Sequence, residues 1–285
     1  MKIKLAISTC PNDTFAFHGL LQRKIDWRGI DFEIQLLDIQ ELNAGLLQQK
    51  FDVAKASFHA ALVLADSTVV LPSGAALGFG VGPLLLAAEA QTDPDDPEVP
   101  TKLTLCPGEL TTATLLYRLF YADSIASGKT VVQQVLFSDI MPALQQRRAN
   151  FGVCIHEGRF TWQQQGLHCV TDLGARWEQQ TNFPLPLGGI LAQRRLPREV
   201  IAEVQALTRQ SIEYGLSNRE ETISTMRQYA QELSDEVLWQ HVDLYVNPWT
   251  VEMGETGRQA LEQLANYARH AGLVLGASRQ LEVFQ

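Results

Sequence analysis

The sequence predicts an α/β protein of two lobes with a cleft between them. Three observations carry this. Strand-type and helix-type runs alternate at crossover spacing, one acidic, proline-rich segment interrupts the alternation, and the alternation then starts afresh. At 285 residues the chain is also of the size at which single cores tend to split into two.

Lys2–Ser8 reads as the first strand. NDTFAFHGLLQRK follows as a helix that Asn12, Asp13 or Thr14 can cap. Phe32–Leu37 is a second strand and Phe51–Lys55 a third. Between them IQELNAGLLQQ is helical, with Ile39, Leu42, Leu46 and Leu47 on one side. From Gln91 the segment QTDPDDPEVP reads as a solvated loop between units. The second series is the strand Lys102–Cys106, the helical TTATLLYRLFYADS, the strand Thr130–Phe137, the helical DIMPALQQRRA and the strand Phe151–Ile155. After FPLPLGGI a long helix runs from Pro197 to about Leu216, with Val200, Val204, Leu207 and Ser211 on one face. A last helix gathers Leu261, Leu264 and Ala268. Crossings near Gly82–Glu89 and Leu187–Gln193 give a larger lobe of residues 1–90 with 190–285 and a smaller lobe of residues 91–189. Parallel α/β layers place ligands at the carboxyl ends of strands, so the cleft should be lined by strand-to-helix junctions.

Composition narrows the function. Hydrophobic residues are 46 % and charged ones 19 %, ordinary for a globular protein. The net charge is −9, and Lys and Arg cluster no further than pairs such as Arg147-Arg148 and Arg194-Arg195, so no nucleic-acid or anionic-membrane partner is expected. No apolar run reaches the ~18 residues of a membrane span, and Leu5 to Cys10 is shorter than the roughly 7–15 of a secretory core. A cytoplasmic protein is the expectation. Cys10, Cys106, Cys154 and Cys169 form no CxxC, so they read as reduced packing residues with no disulfide framework or zinc site.

Four junctions stand out: STCPNDT with Asn12, Asp13 and Thr14; KASFHA with Lys55, Ala56 and Ser57 ahead of His59; CPGELTTAT with Gly108, Thr111 and Thr112; and IHEGRF. Each sets small hydroxyl residues or free amides at a helix start, where unpaired N–H groups favour an anion. Plain capping explains any one of them. Four on a two-lobed frame favour a cleft that grips a carboxylate or phosphate. His156 ends an apolar strand, and an imidazole with an ordinary pKa near 6.5 suits proton transfer there; a structural histidine is the alternative reading. Glu157 could orient it. His168, His241 and His270 read as surface or packing residues. No spacing supports a metal site from His18, His59 and His156, and there is no GxSxG elbow. Gly74 to Gly82 is not a dinucleotide fingerprint and reads as close packing or a hinge.

CPNDTFAFHGL, FDVAKASFHA, ELTTATLL, IHEGRFTW and FPLPLGGI, in this order, resemble the 1,4-dihydroxy-6-naphthoate synthase family of the futalosine route to menaquinone, over roughly residues 1–275. The resemblance implies a periplasmic-binding-protein-like (type II) fold used as an enzyme without a cofactor. It implies a substrate, cyclic dehypoxanthine futalosine, split to 1,4-dihydroxy-6-naphthoate and dihydroxyacetone. It also implies His156 as proton acceptor, with Lys55, Ala56, Ser57, Thr111 and Thr112 binding substrate and Asn12, Asp13 and Thr14 lining the cleft. Arg159 would be a partner of Glu157. Thr9, Trp162 and Arg176 depart from the family pattern without removing any of these groups. The rivals are a chorismate dehydratase of similar fold, against which PNDTF and HEGR tell, and a small-anion solute-binding protein.

Overall fold

The alternation folds into two separate sheets. The computed structural model describes residues 1–90, 101–156, 158–230, 234–274 and 277–285. The expected Gln91–Pro100 loop and Glu157 therefore lie outside the described residues. In chain order the strands are β1 (Lys2–Ser8), β2 (Asp31–Leu37), β3 (Val53–Ser57), β4 (Thr68–Val70), β5 (Ala76–Gly78) and β6 (Leu84–Ala87). They continue with β7 (Lys102–Cys106), β8 (Thr130–Gln134), β9 (Phe151–Cys154), β10 (His168–Asp172) and β11 (Leu185–Gln193). The first sheet runs β2-β1-β3-β11-β4, with β5 also paired to β11; the second runs β10-β6-β9-β7-β8.

Strands joined by crossover helices are parallel: β1 with β2 and β3, and β7 with β8 and β9. The two strands that carry the chain between lobes, β6 and β11, run antiparallel to their neighbours. The layers are therefore mixed where parallel ones were expected, because a strand entered from the other lobe needs no crossover helix and can run against its neighbours. The same strands move the division of the chain. Leu84–Ala87 pairs in the second sheet and Leu185–Gln193 in the first, so the crossings fall a few residues before the expected bounds at 90 and 190.

Each lobe has its own apolar cluster. Ile3, Leu5, Ile7, Val53 and Ile190 pack under Ile201, Val204 and Leu207 of the helix Arg198–Ser217 in the first. Leu84, Leu86, Leu105, Ile140 and Leu144 pack together in the second. A third cluster, including Ala56, Leu77, Leu85, Phe151 and Leu185, is continuous through both. At the first crossing the backbone of Gly82 touches that of Gly174. A Cβ on Gly82 would stand 2.2 Å from Gly174 Cα, so only glycine fits here. Arg159 ties the turn after β9 to this point, donating to the Gly82 carbonyl at 2.6 Å and pairing with Asp172 at 2.8 Å.

Local departures from the expected elements have local causes. The first helix breaks at Phe17 into Pro11–Ala16 and His18–Leu21, and β8 stops at Gln134 because the helix Phe137–Gln145 begins soon after it. The third strand extends to Ser57, which places Lys55 and Ser57 on the same side of its carboxyl end. Among the described residues no helix is long and apolar enough to cross a membrane.

Candidate active site

The carboxyl ends of β1, β3 and β9 meet the start of the helix Thr112–Phe120 around one cleft of about 680 Å³, its open mouth included. Ser8, Cys10, Asn12, Asp13, Lys55, Ala56, Ser57, Thr111, Thr112 and His156 all line it. Thr14 does not. Its hydroxyl is buried and donates to the Cys10 and Pro11 carbonyls, closing the turn beneath the cleft floor.

Asp13 and Lys55 form the buried centre of the first-lobe wall. Lys55 Nζ donates to Asp13 Oδ1 at 2.7 Å and to the Gly74 carbonyl at 3.1 Å. Asp13 also accepts from Ser8 Oγ at 2.6 Å and from Asn12 Nδ2 at 3.1 Å. An ammonium has three N–H donors, so one remains on Lys55 for a ligand. Ser57 is oriented by Asn43, a buried residue that sequence reasoning did not single out. Its amide accepts from Ser57 N at 3.0 Å and donates to Ser57 Oγ at 3.2 Å. The Ser57 hydroxyl thus accepts from within and keeps its own hydrogen to donate.

On the second-lobe wall the paired threonines serve the protein first. Thr111 caps its helix, accepting from Thr114 N and donating to the Gly108 carbonyl at 2.8 Å, while Thr112 Oγ1 donates to the Leu187 carbonyl at 2.6 Å. What this junction offers a ligand is the first-turn N–H groups of a nine-residue helix.

His156 sits just past β9 with φ at 54°, in the left-handed region that non-glycine residues seldom occupy. Such conformations cost of order 1–3 kcal/mol and gather at functional sites. Its Nδ1 lies 2.8 Å from Cys10 Sγ across the cleft, and Phe137 packs its ring at 5.0 Å. Cys10 was expected to be a packing residue and is instead a cleft-liner. Arg159 engages Asp172 and Gly82, while its expected partner Glu157 lies outside the described residues. His18 bonds Thr225 Oγ1 and His59 bonds the Leu273 carbonyl, and neither lines the cleft. Among the described residues no group of three or more His, Cys, Asp or Glu could hold a metal ion.

Two further cleft-liners escaped sequence reasoning: His241 and Tyr245, one turn apart on the helix Asp235–Tyr245. Their spacing was the available signal, but in an apolar helix it reads equally as core. Burial, assisted by the nearby His156, pushes the His241 imidazole down to about 3, and burial lowers His59 as well. Below about 6.5 the unfolded chain binds protons that these folded imidazoles refuse. Their stabilising contribution is therefore complete above about 6.5 and is lost as pH falls toward about 3 for His241. Urea unfolding is expected to show lower stability at about pH 5 than at about pH 7.5, with a smaller difference in His241→Phe. An undiminished difference in that variant would show that His241 does not contribute.

The chain matches the family described as menaquinone biosynthesis over residues 3–270. A Thermus thermophilus protein named 1,4-dihydroxy-6-naphtoate synthase is 39% identical over 281 residues, covering 99% of both chains. A Streptomyces coelicolor protein of the same name is 35% identical over 272 residues, covering 95% of this chain and 94% of the relative. Among solved structures, a protein of Archaeoglobus fulgidus superposes with a TM-score of 0.87 at 31% identity, covering 96% of this chain and 98% of that one. The periplasmic aliphatic sulphonate binding protein of Escherichia coli superposes with a TM-score of 0.64 at 14% identity, covering 100% of this chain and 94% of that one. That likeness establishes a periplasmic-binding-protein-like fold. On its sequence and its length of match, the chain belongs to the menaquinone biosynthesis family.

Proposed function

We propose that this chain is a carbon–carbon lyase that splits cyclic dehypoxanthine futalosine into 1,4-dihydroxy-6-naphthoate and dihydroxyacetone, with His156 as general base. The observation that carries this reading is the position of His156: a cleft-lining imidazole, held in a costly backbone conformation, facing a wall of anion-compatible donors. The names of the two relatives support the product, 1,4-dihydroxy-6-naphthoate.

The chemistry follows from the groups present. The substrate bears a carboxylate, and the Ser57 hydroxyl, the remaining Lys55 N–H and the first-turn amides after Thr111 are the donors suited to it. A base acting through Nε2 needs the neutral tautomer with its proton on Nδ1. Cys10 Sγ lies 2.8 Å from Nδ1 and 3.8 Å from Nε2, so the thiol contacts the ring on its Nδ1 side. Loss of a substrate proton and cleavage of the carbon–carbon bond then yield an aromatic ring system, so the protein's part is to position, orient and accept a proton.

The test is incubation of purified protein with the cyclic futalosine derivative, with chorismate, or with neither, followed by mass spectrometry of the products. Release of dihydroxynaphthoate only in the first arm is expected. Turnover of chorismate instead would move the chain to the dehydratase reading, and binding without turnover of either compound to the solute-binding one.

A further inference from the structure

His241 is buried, 1% exposed, yet belongs to the cleft lining. Neither of its ring nitrogens has a hydrogen-bond partner among the described residues. Leaving one buried polar atom unsatisfied costs about 1–3 kcal/mol, so a buried imidazole with two orphans needs a reason to be there. The ring lies between Tyr245, at 4.9 Å between centroids, and Phe160, at 5.4 Å. Phe160 follows β9 and so belongs to the second lobe, while the helix carrying His241 packs on the first. The cover over the ring is thus an interlobe contact.

We propose that His241 is a substrate-contacting residue that gives one N–H donor and one ring-nitrogen acceptor to the hydroxyl-bearing, uncharged part of the ligand. The inference rests on the lyase reading above and deepens it. A carboxylate is better served at the Lys55, Ser57 and Thr112 side of the cleft, where the donors are an ammonium, a hydroxyl and helix-end amides. An imidazole that stays neutral cannot neutralise an anion, but its paired donor and acceptor match hydroxyl and carbonyl oxygens. In the proposed substrate the fragment that leaves as dihydroxyacetone carries such oxygens and no charge.

The experiment compares ligand affinities in a background that does not turn over: His156→Asn, His156→Asn/His241→Phe and His156→Asn/His241→Gln, by calorimetry with two probes. Phenylalanine keeps the packing against Phe160 and Tyr245 and removes both nitrogens. Glutamine keeps a donor and an acceptor. For the intact cyclic futalosine derivative, the Phe variant is expected to bind about 10–100-fold more weakly, with much of the loss restored by Gln. For dihydroxynaphthoate, which lacks the fragment, both variants are expected to bind within about threefold of the His156→Asn parent. Equal binding of the intact substrate by parent and Phe variant overturns the proposal, as does equal weakening of both probes, which would mark a packing defect. If the parent and wild-type proteins fail to bind the futalosine derivative at all, the lyase reading falls and this inference falls with it. Cooperative urea unfolding of each variant confirms that the proteins compared are folded.

Discussion

His156→Asn is expected to lower turnover of the cyclic futalosine derivative by about 10²–10⁴-fold, the usual worth of a general base, with fold and ligand binding near wild type. Asparagine suits this position for a backbone reason. At φ 54° it is among the residues that tolerate the left-handed region best, so the turn after β9 should be no more strained than before. Asparagine also keeps a polar side chain at the cleft. What it lacks is a nitrogen able to accept a proton near neutral pH. A loss confined to kcat, with dihydroxynaphthoate affinity held, marks removal of a transition-state interaction. Retained turnover within about tenfold would take His156 out of the role, because that is less than a positioned base contributes. A matching fall in product affinity would indicate a distorted cleft instead.

The alternation of strands and helices was legible because hydrophobic periodicity and junction chemistry are local properties. Lys2–Ser8, Lys102–Cys106 and the faces of the two long C-terminal helices follow from them directly. The direction of β6 and β11 was not legible, since an apolar run such as Leu84–Ala87 carries no mark of which sheet will take it. The site divides in the same way. Lys55, Ser57 and Thr111 announced themselves as polar residues at element ends. Cys10, Asn43 and His241 did not, because their importance comes from what lies across the cleft or beneath it: Cys10 meets His156 146 positions away. Thr14 looked like the hydroxyls that line the cleft, but its side chain turned back onto its own helix start. That local competition is common for threonine.

Lys55→Met should destabilise the fold by about 3–5 kcal/mol, the usual consequence of stranding one member of a buried ion pair. For a chain of this size that is a fall in Tm of roughly 10 °C. The side chains of Lys55 and Asp13 are only 6% and 4% exposed, and removing the ammonium leaves the carboxylate with Ser8 and Asn12 as its remaining donors. Methionine preserves the apolar stem, so the loss isolates the charge and not the packing. A double variant, Lys55→Met with Asp13→Leu, should regain much of the stability, because the stranded charge is then gone. Urea unfolding of the two singles and the double closes the cycle. A Lys55→Met loss below about 1 kcal/mol, as for an exposed pair, would show that solvent reaches Asp13 in solution. The proposed function gives Lys55 a substrate-binding role, and the geometry gives it a second task. With two of its three donors turned inward, it ties the end of β3 to the helix Pro11–Ala16 and to the turn at Gly74. A ligand carboxylate that takes the third donor therefore meets a wall already fixed in place, and the ordering cost of that wall is met in folding instead of in binding.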